Sequence, residues 1–257
     1  MFLEVISFHF LLFLVSLLAN FLSALSGGGA GLVQLPALII MGLNFPVALA
    51  THKVASVFLG VGSSLRHIQS NTMNISYVLF ILLFGIPGVI IGANFVDIVP
   101  EKISSLTLGL LTISICFYSL SRTNIKSRIT YRNNSTGEIM IGGIFIFIIG
   151  ILNGTFSSGT GLFVTLFLVK WFKFSYTQAV AYTLTLVGLF WNGTGALILG
   201  INGNINWNWL PSLIIGSLVG GYLGAEFSLL KGNLFVKSSF EFLCFIMGTT
   251  LIIRSII

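Results

Sequence analysis

The chain has 257 residues, 56% of them hydrophobic and 7% charged, with a mean hydropathy of +1.05 and a net charge of +6. An ordinary soluble domain carries about 25% charged residues, so this composition excludes one and puts the whole length in a bilayer, as an all-α polytopic protein. There the positive charge is an orientation signal and not a nucleic-acid footprint. Two cysteines and three histidines, none clustered, argue against a disulfide framework or a metal centre.

In chain order, apolar stretches run over about 2–25, 28–43, 46–70, 75–96 and 103–121, then over about 138–156, 159–172, 176–200, 207–229 and 235–256. The first is as hydrophobic as a signal peptide, but Glu4 precedes its core with no Lys or Arg. It also has a counterpart after Gly137, so it is expected to be a structural helix. A spanning helix needs about 20 residues. The second and seventh stretches, at about 14–16 residues, read as tilted spans, half-helices or arms of a re-entrant hairpin. Cys116 and Cys244 lie inside apolar stretches and are expected in the core.

Between the fifth and sixth stretches, Arg122, Lys126, Arg128 and Arg132 mark a polar linker. The expected division is a first membrane repeat over 1–121, a cytoplasmic linker over 122–137 and a second repeat over 138–257. Five segments per half is an odd number, so the second half is inverted relative to the first. With the N-terminus outside, nine of the twelve basic residues fall inside: Arg66, the four linker residues, Lys170, Lys173, Lys231 and Lys237. Lys53, Lys102 and Arg254 fall outside. A parallel arrangement would divide the twelve evenly, so the positive-inside rule favours both termini outside.

The halves repeat each other in sequence. Ser26-Gly27-Gly28-Gly29-Ala30-Gly31-Leu32 returns, loosened, as Ser157-Ser158-Gly159-Thr160-Gly161-Leu162. Gly88, Gly92, Ala93 and Phe95 pair at constant offset with Gly220, Gly224, Ala225 and Phe227. Small residues four apart let helix backbones approach closely in lipid. The first pair of motifs breaks helices, and a helix start leaves its first N–H groups without backbone partners. Either the glycines only kink helices for packing, or the two starts meet and form an anion site from N–H donors and positive dipole ends. Ser157, Ser158 and Thr160 add hydroxyls in the second copy; Gln34 lies a turn beyond the first.

The third stretch opens Ala48-Leu49-Ala50-Thr51-His52-Lys53 just after Pro46. Ionisable groups one to two turns into an apolar stretch face a cavity or a partner, or snorkel outward. Lys53 would suit an anion, and His52 could donate to one or carry a proton. The second-half counterpart, Ala179-Val180-Ala181-Tyr182-Thr183-Leu184, keeps a hydroxyl at Thr183 but no charge. Asn192 lies inside the eighth stretch, to bond across helices or touch substrate. Arg66 and His67 read as interface anchors and His9 as a helix-face residue. No carboxylate falls mid-membrane, so His52 is the one titratable candidate for proton coupling. No acid, base or nucleophile constellation is present, so no catalytic residues are expected and an enzyme is not.

The order Ser26–Gly31, Leu35-Pro36, Gly42-Leu43 and Ala48–Lys53, followed by Gly159-Thr160-Gly161 and Gly220–Ala225, resembles the TauE/SafE family, also called TSUP, over nearly the whole chain. The resemblance implies a bacterial inner-membrane transporter of sulfite, sulfoacetate or related small anions. It departs from the family pattern at His52, where members often have Asn, and at Thr165-Leu166, which lacks the proline of Leu35-Pro36. The expected function is a secondary transporter working by alternating access, with an anion channel or a carrier of small carboxylates as alternatives. Its expected substrate-binding residues are Gly27, Gly28, Gly29, Gly31, Gln34, Thr51, His52, Lys53, Ser157, Ser158, Gly159, Thr160, Gly161, Thr183 and Asn192. The partners are a small anion, the lipid bilayer and an unspecified coupling ion, H+ or Na+, with a homodimer open and no cofactor.

Overall fold

The computed structural model describes residues 2–67, 73–96, 98, 101–121, 136–202 and 204–256, and its elements there are helical. The linker residues Arg122, Lys126, Arg128 and Arg132 lie outside the described residues. The first half holds α1 (Phe2–Ser26), α2 (Ala30–Ile40), α3 (Phe45–His67), α4 (Ile75–Asn94) and α5 (Glu101–Leu120). The second holds α6 (Thr136–Phe156), α7 (Thr160–Trp171), α8 (Tyr176–Thr185), a π-helical turn (Leu186–Trp191), α9 (Asn192–Ile201) and α10 (Leu210–Ile256). Among the described residues, six helical stretches are long and apolar enough to cross a membrane. The chain is a multi-pass membrane protein.

Local chemistry sets the boundaries. Asn74 accepts from the Ser76 N–H at 2.9 Å, and Ser175 from the Gln178 N–H at 3.1 Å, satisfying first-turn donors of α4 and α8. Pro46 occupies the first turn of α3, where its missing N–H has no partner to lose. α10 joins the ninth and tenth expected stretches, and Gly232, at φ 75° and ψ −171°, interrupts it.

α2 and α7 have 11 and 12 residues. At 1.5 Å per residue they rise about 16–18 Å, roughly half of a 30 Å hydrocarbon core. Each folds back on the helix before it. Gln34 on α2 donates to Ser16 on α1 at 3.0 Å, and Leu35 and Leu38 share a core with Leu12. Trp171, ending α7, packs on Phe145 in the middle of α6. The first hairpin opens beside Ile205 and Trp209, ahead of α10. The second opens beside Tyr77 and Phe80, at the start of α4.

The first helix of each half packs on the fourth apolar stretch of the other, α1 on the first part of α10 and α6 on α4. Gly216, Gly220 and Gly224 of α10 press on the backbone of Phe13, Leu17 and Phe21 in α1. Gly88 and Gly92 of α4 press on Phe147 and Ile151 in α6. In the bundle, Leu83 (69% exposed), Leu197 (71%) and Phe242 (63%) face outward, while Ser16, Asn20, Gln34, His52, Lys53 and Asn153 are buried. Apolar outside and polar inside is the polarity that lipid requires.

Candidate functional site

The two glycine breaks lie against each other. Gly27, Gly28 and Gly29 have φ of 82°, 144° and 100°, and Ser157 and Gly159 have φ of 57° and 73°. A Cβ on Gly28 would stand 2.6 Å from Gly161 Cα, and one on Gly31 would stand 3.2 Å from Ser158 Cα. Ser158 Oγ donates to Gly31 O at 3.2 Å, and Thr165 Oγ1 donates to Gly27 O at 2.7 Å. Each break is therefore pinned by the other half of the chain.

Gly29 and Gly159 are the N-caps of α2 and α7, and no side chain caps either helix. Their first N–H groups are left for water or a ligand, and two positive dipole ends face one space. That space is a cavity of about 30 Å³. Of the expected residues, Gly28, Gly29, Gly31, His52, Ser157, Thr160, Gly161, Thr183 and Asn192 line it. Gly27, Gln34, Thr51, Lys53, Ser158 and Gly159 are not on its wall.

The residues behind the wall hold it in place. Gln34 Oε1 lies 2.8 Å from His52 Nδ1. Thr51 Oγ1 accepts from the Asn206 N–H at 3.0 Å, tying α3 to the segment before α10. Lys53 Nζ donates to Asn153 O at 2.8 Å and lies 3.2 Å from Asn153 Oδ1. Lys53 is fully buried, its stem against Gly195, and no carboxylate pairs with it among the described residues. Its ammonium thus orders Asn153, which does line the cavity and donates to Thr160 Oγ1 at 2.9 Å.

Three polar wall residues were missed from the sequence: Ser23, Ser56 and Asn153. Ser23 Oγ is buried with no hydrogen-bond partner among the described residues. A signal existed, since Ser23 and Asn153 stand 130 positions apart, as Gly29 and Gly159 do. Ser56 lies one helical turn beyond His52.

Other expectations resolve elsewhere. Arg66 pairs with Glu226, joining α3 to α10. His9 Nδ1 lies 3.0 Å from Ser212 Oγ. Glu241 accepts from Ser119 Oγ at 2.8 Å and pairs with Lys237 at 3.2 Å. Cys116 and Cys244 are buried free thiols.

A cavity walled by helix starts, hydroxyls and amides, inside a bundle with an apolar exterior, fits a multi-pass membrane transporter. Residues 12–251 match the family model described as sulfite exporter TauE/SafE, and the chain belongs to that family. It is 26% identical over 247 residues to a probable membrane transporter protein of Haemophilus influenzae, covering 94% of this chain and 93% of the relative. It is 26% identical over 235 residues to the probable membrane transporter protein ORF9 of Sinorhizobium sp., covering 90% and 88%. To the probable membrane transporter protein YfcA of Escherichia coli K12 it is 25% identical over 246 residues, covering 95% and 89%. No solved structure matches the chain significantly.

Proposed function

We propose that the protein is a secondary transporter moving a small anion, a sulfur oxyanion or organosulfonate of the sulfite or sulfoacetate kind, across the bacterial inner membrane by alternating access. The observation that carries this reading is the pair of uncapped helix starts abutting at one buried cavity. N–H groups of both starts, with the hydroxyl of Ser157, would hold the anion's oxygens, while Thr160 gives its hydrogen to Ser157 O at 2.8 Å and Thr183 bonds with Thr165 Oγ1 at 2.9 Å, bracing the wall. Lys53 acts through Asn153 and contributes positive potential from behind the wall.

Alternating access needs two halves that can exchange roles. Reciprocal packing of each half's first helix on the other's fourth apolar stretch supports inverted repeats, as do hairpins that open beside different loops. In this reading both termini lie outside and 122–137 is cytoplasmic. A coupling ion, H+ or Na+, and a homodimer fit the same scheme.

The test is flux into proteoliposomes. Saturable sulfite uptake, accelerated by sulfite trapped inside, is the expected result. Electrodiffusive flux with no such counterflow would identify a channel. Flux of acetate alone, with none for sulfite, sulfoacetate or thiosulfate, would move the substrate class to carboxylates.

A further inference from the structure

A hydrogen-bond chain behind the cavity decides which nitrogen of His52 carries hydrogen. Ser16 Oγ donates to Leu213 O at 2.6 Å, which uses its one hydrogen. Toward Gln34 it is therefore an acceptor, and Gln34 Nε2 donates to it at 3.0 Å. With its NH2 end held there, Gln34 turns Oε1 to His52 Nδ1 at 2.8 Å. An amide oxygen only accepts, so Nδ1 carries the hydrogen and Nε2 of the neutral ring is a bare acceptor.

Nε2 lies on the cavity side. A Cβ on Gly31 would stand 2.9 Å from it, and Gly31, His52 and Ser56 all line the cavity. Ser56 Oγ is 3.3 Å from Nε2 and 3.4 Å from Nδ1. Near-equal distances put that hydroxyl over the ring, since a donor in the ring plane at Nε2 would stand much further from Nδ1. The in-plane lone pair of Nε2 thus meets the cavity without a donor. Among the described residues, Lys53 is the charged group acting on this ring, with its ammonium directed to Asn153. Gln34 and Gly31 from α2, Ser158 from the α6–α7 break and Ser56 from α3 are not ionisable.

We propose that the site takes the singly protonated form of a dibasic oxyanion, whose own O–H donates to His52 Nε2. The inference rests on the transporter reading above and narrows its substrate to a protonation state. The helix starts and the Ser157 hydroxyl donate, and Nε2 accepts. A dianion would set lone pair against lone pair there, and a buried acceptor left without its donor costs binding. A monoanion that keeps one O–H satisfies both halves of the site, and sites built on such a bond discriminate strongly against analogues lacking it.

The test is calorimetric binding of sulfite and of methanesulfonate to the purified full chain at pH 6 and pH 8. Sulfite holds its proton at the lower pH and has lost most of it at the higher; methanesulfonate is a monoanion without O–H at both. Sulfite affinity is expected to fall about tenfold between the two, while methanesulfonate binds more weakly and equally at both. In His52→Asn, whose amide can donate, the fall is expected to vanish; the wild-type comparison stands without that variant. Equal sulfite affinity at both pH values would overturn the inference and leave the anion site intact. A parallel fall for both ligands would also overturn it, by placing the proton on the ring. No binding of either ligand at either pH would remove the sulfur-oxyanion reading of the site, and the inference with it.

Discussion

Gly28 shows what a single position contributes. Its φ of 144° is one that a side chain resists, and the Gly161 backbone occupies the place of a Cβ. Gly28→Ala is therefore expected to destabilise the protein by roughly 2–4 kcal/mol, read as a fall in Tm, and to abolish flux. Lys53 behaves differently. Its ammonium is buried with neutral partners only among the described residues, so replacing it by an apolar side chain of similar length relieves a desolvation cost while releasing Asn153. Lys53→Met is expected to keep or raise Tm and to lower sulfite flux at least about tenfold. A fall in Tm with flux retained would contradict this role. The lysine was visible in the sequence as a charge in an apolar stretch; that it addresses Asn153, 100 residues away, was not.

At the scale of elements, the π-helical turn and the glycine-faced crossings matter most. A π-turn holds one residue more than an α-helix would, and such turns recur at functional sites. Here it lets Gly188 meet Gly60 of α3 and seats the buried Trp191 against Gly85 of α4, with Asn192 just beyond on the cavity wall. Deleting Leu189 takes out that extra residue and should close the turn to a regular helix with the phase of α9 kept, undoing the seats of Gly188 on Gly60 and of Trp191 on Gly85 beside Asn192. The expected outcome is normal membrane insertion with flux lost, checked by expression level and proteoliposome uptake. Gly220 contributes to the α1–α10 crossing instead, where a side chain has no room. Gly220→Leu should cost about 1–3 kcal/mol or more, measured by thermal unfolding in detergent. Periodic glycines were legible in the sequence as packing faces. The π-turn was not, because one extra residue in a continuous apolar run leaves no compositional trace.

For the whole molecule, the proposed inverted arrangement, oriented by the positive-inside rule, predicts where each end lies. A cysteine introduced near residue 2 should react with an impermeant maleimide applied outside intact cells, and one introduced near residue 128 should react only after permeabilisation. Labelling of both from outside would exclude the inverted scheme. The prediction draws on charge distribution for orientation and on reciprocal helix packing for symmetry, and these are independent observations.

The sequence by itself determined the membrane class, the near-complete set of helices, the duplicated glycine breaks and the family. All of these follow from local composition and spacing, to which lipid responds strongly: an apolar run of sufficient length inserts, and a glycine cluster ends a helix. Only the tertiary structure decided that α2 and α7 are short arms folded back on α1 and α6, that Gly28 lies on Gly161, and that Lys53 stands behind the cavity while Ser23, Ser56 and Asn153 face it. Those outcomes depend on which surfaces meet across more than 100 residues of chain. A side chain's direction within a helix follows from that packing, and sequence spacing does not carry it.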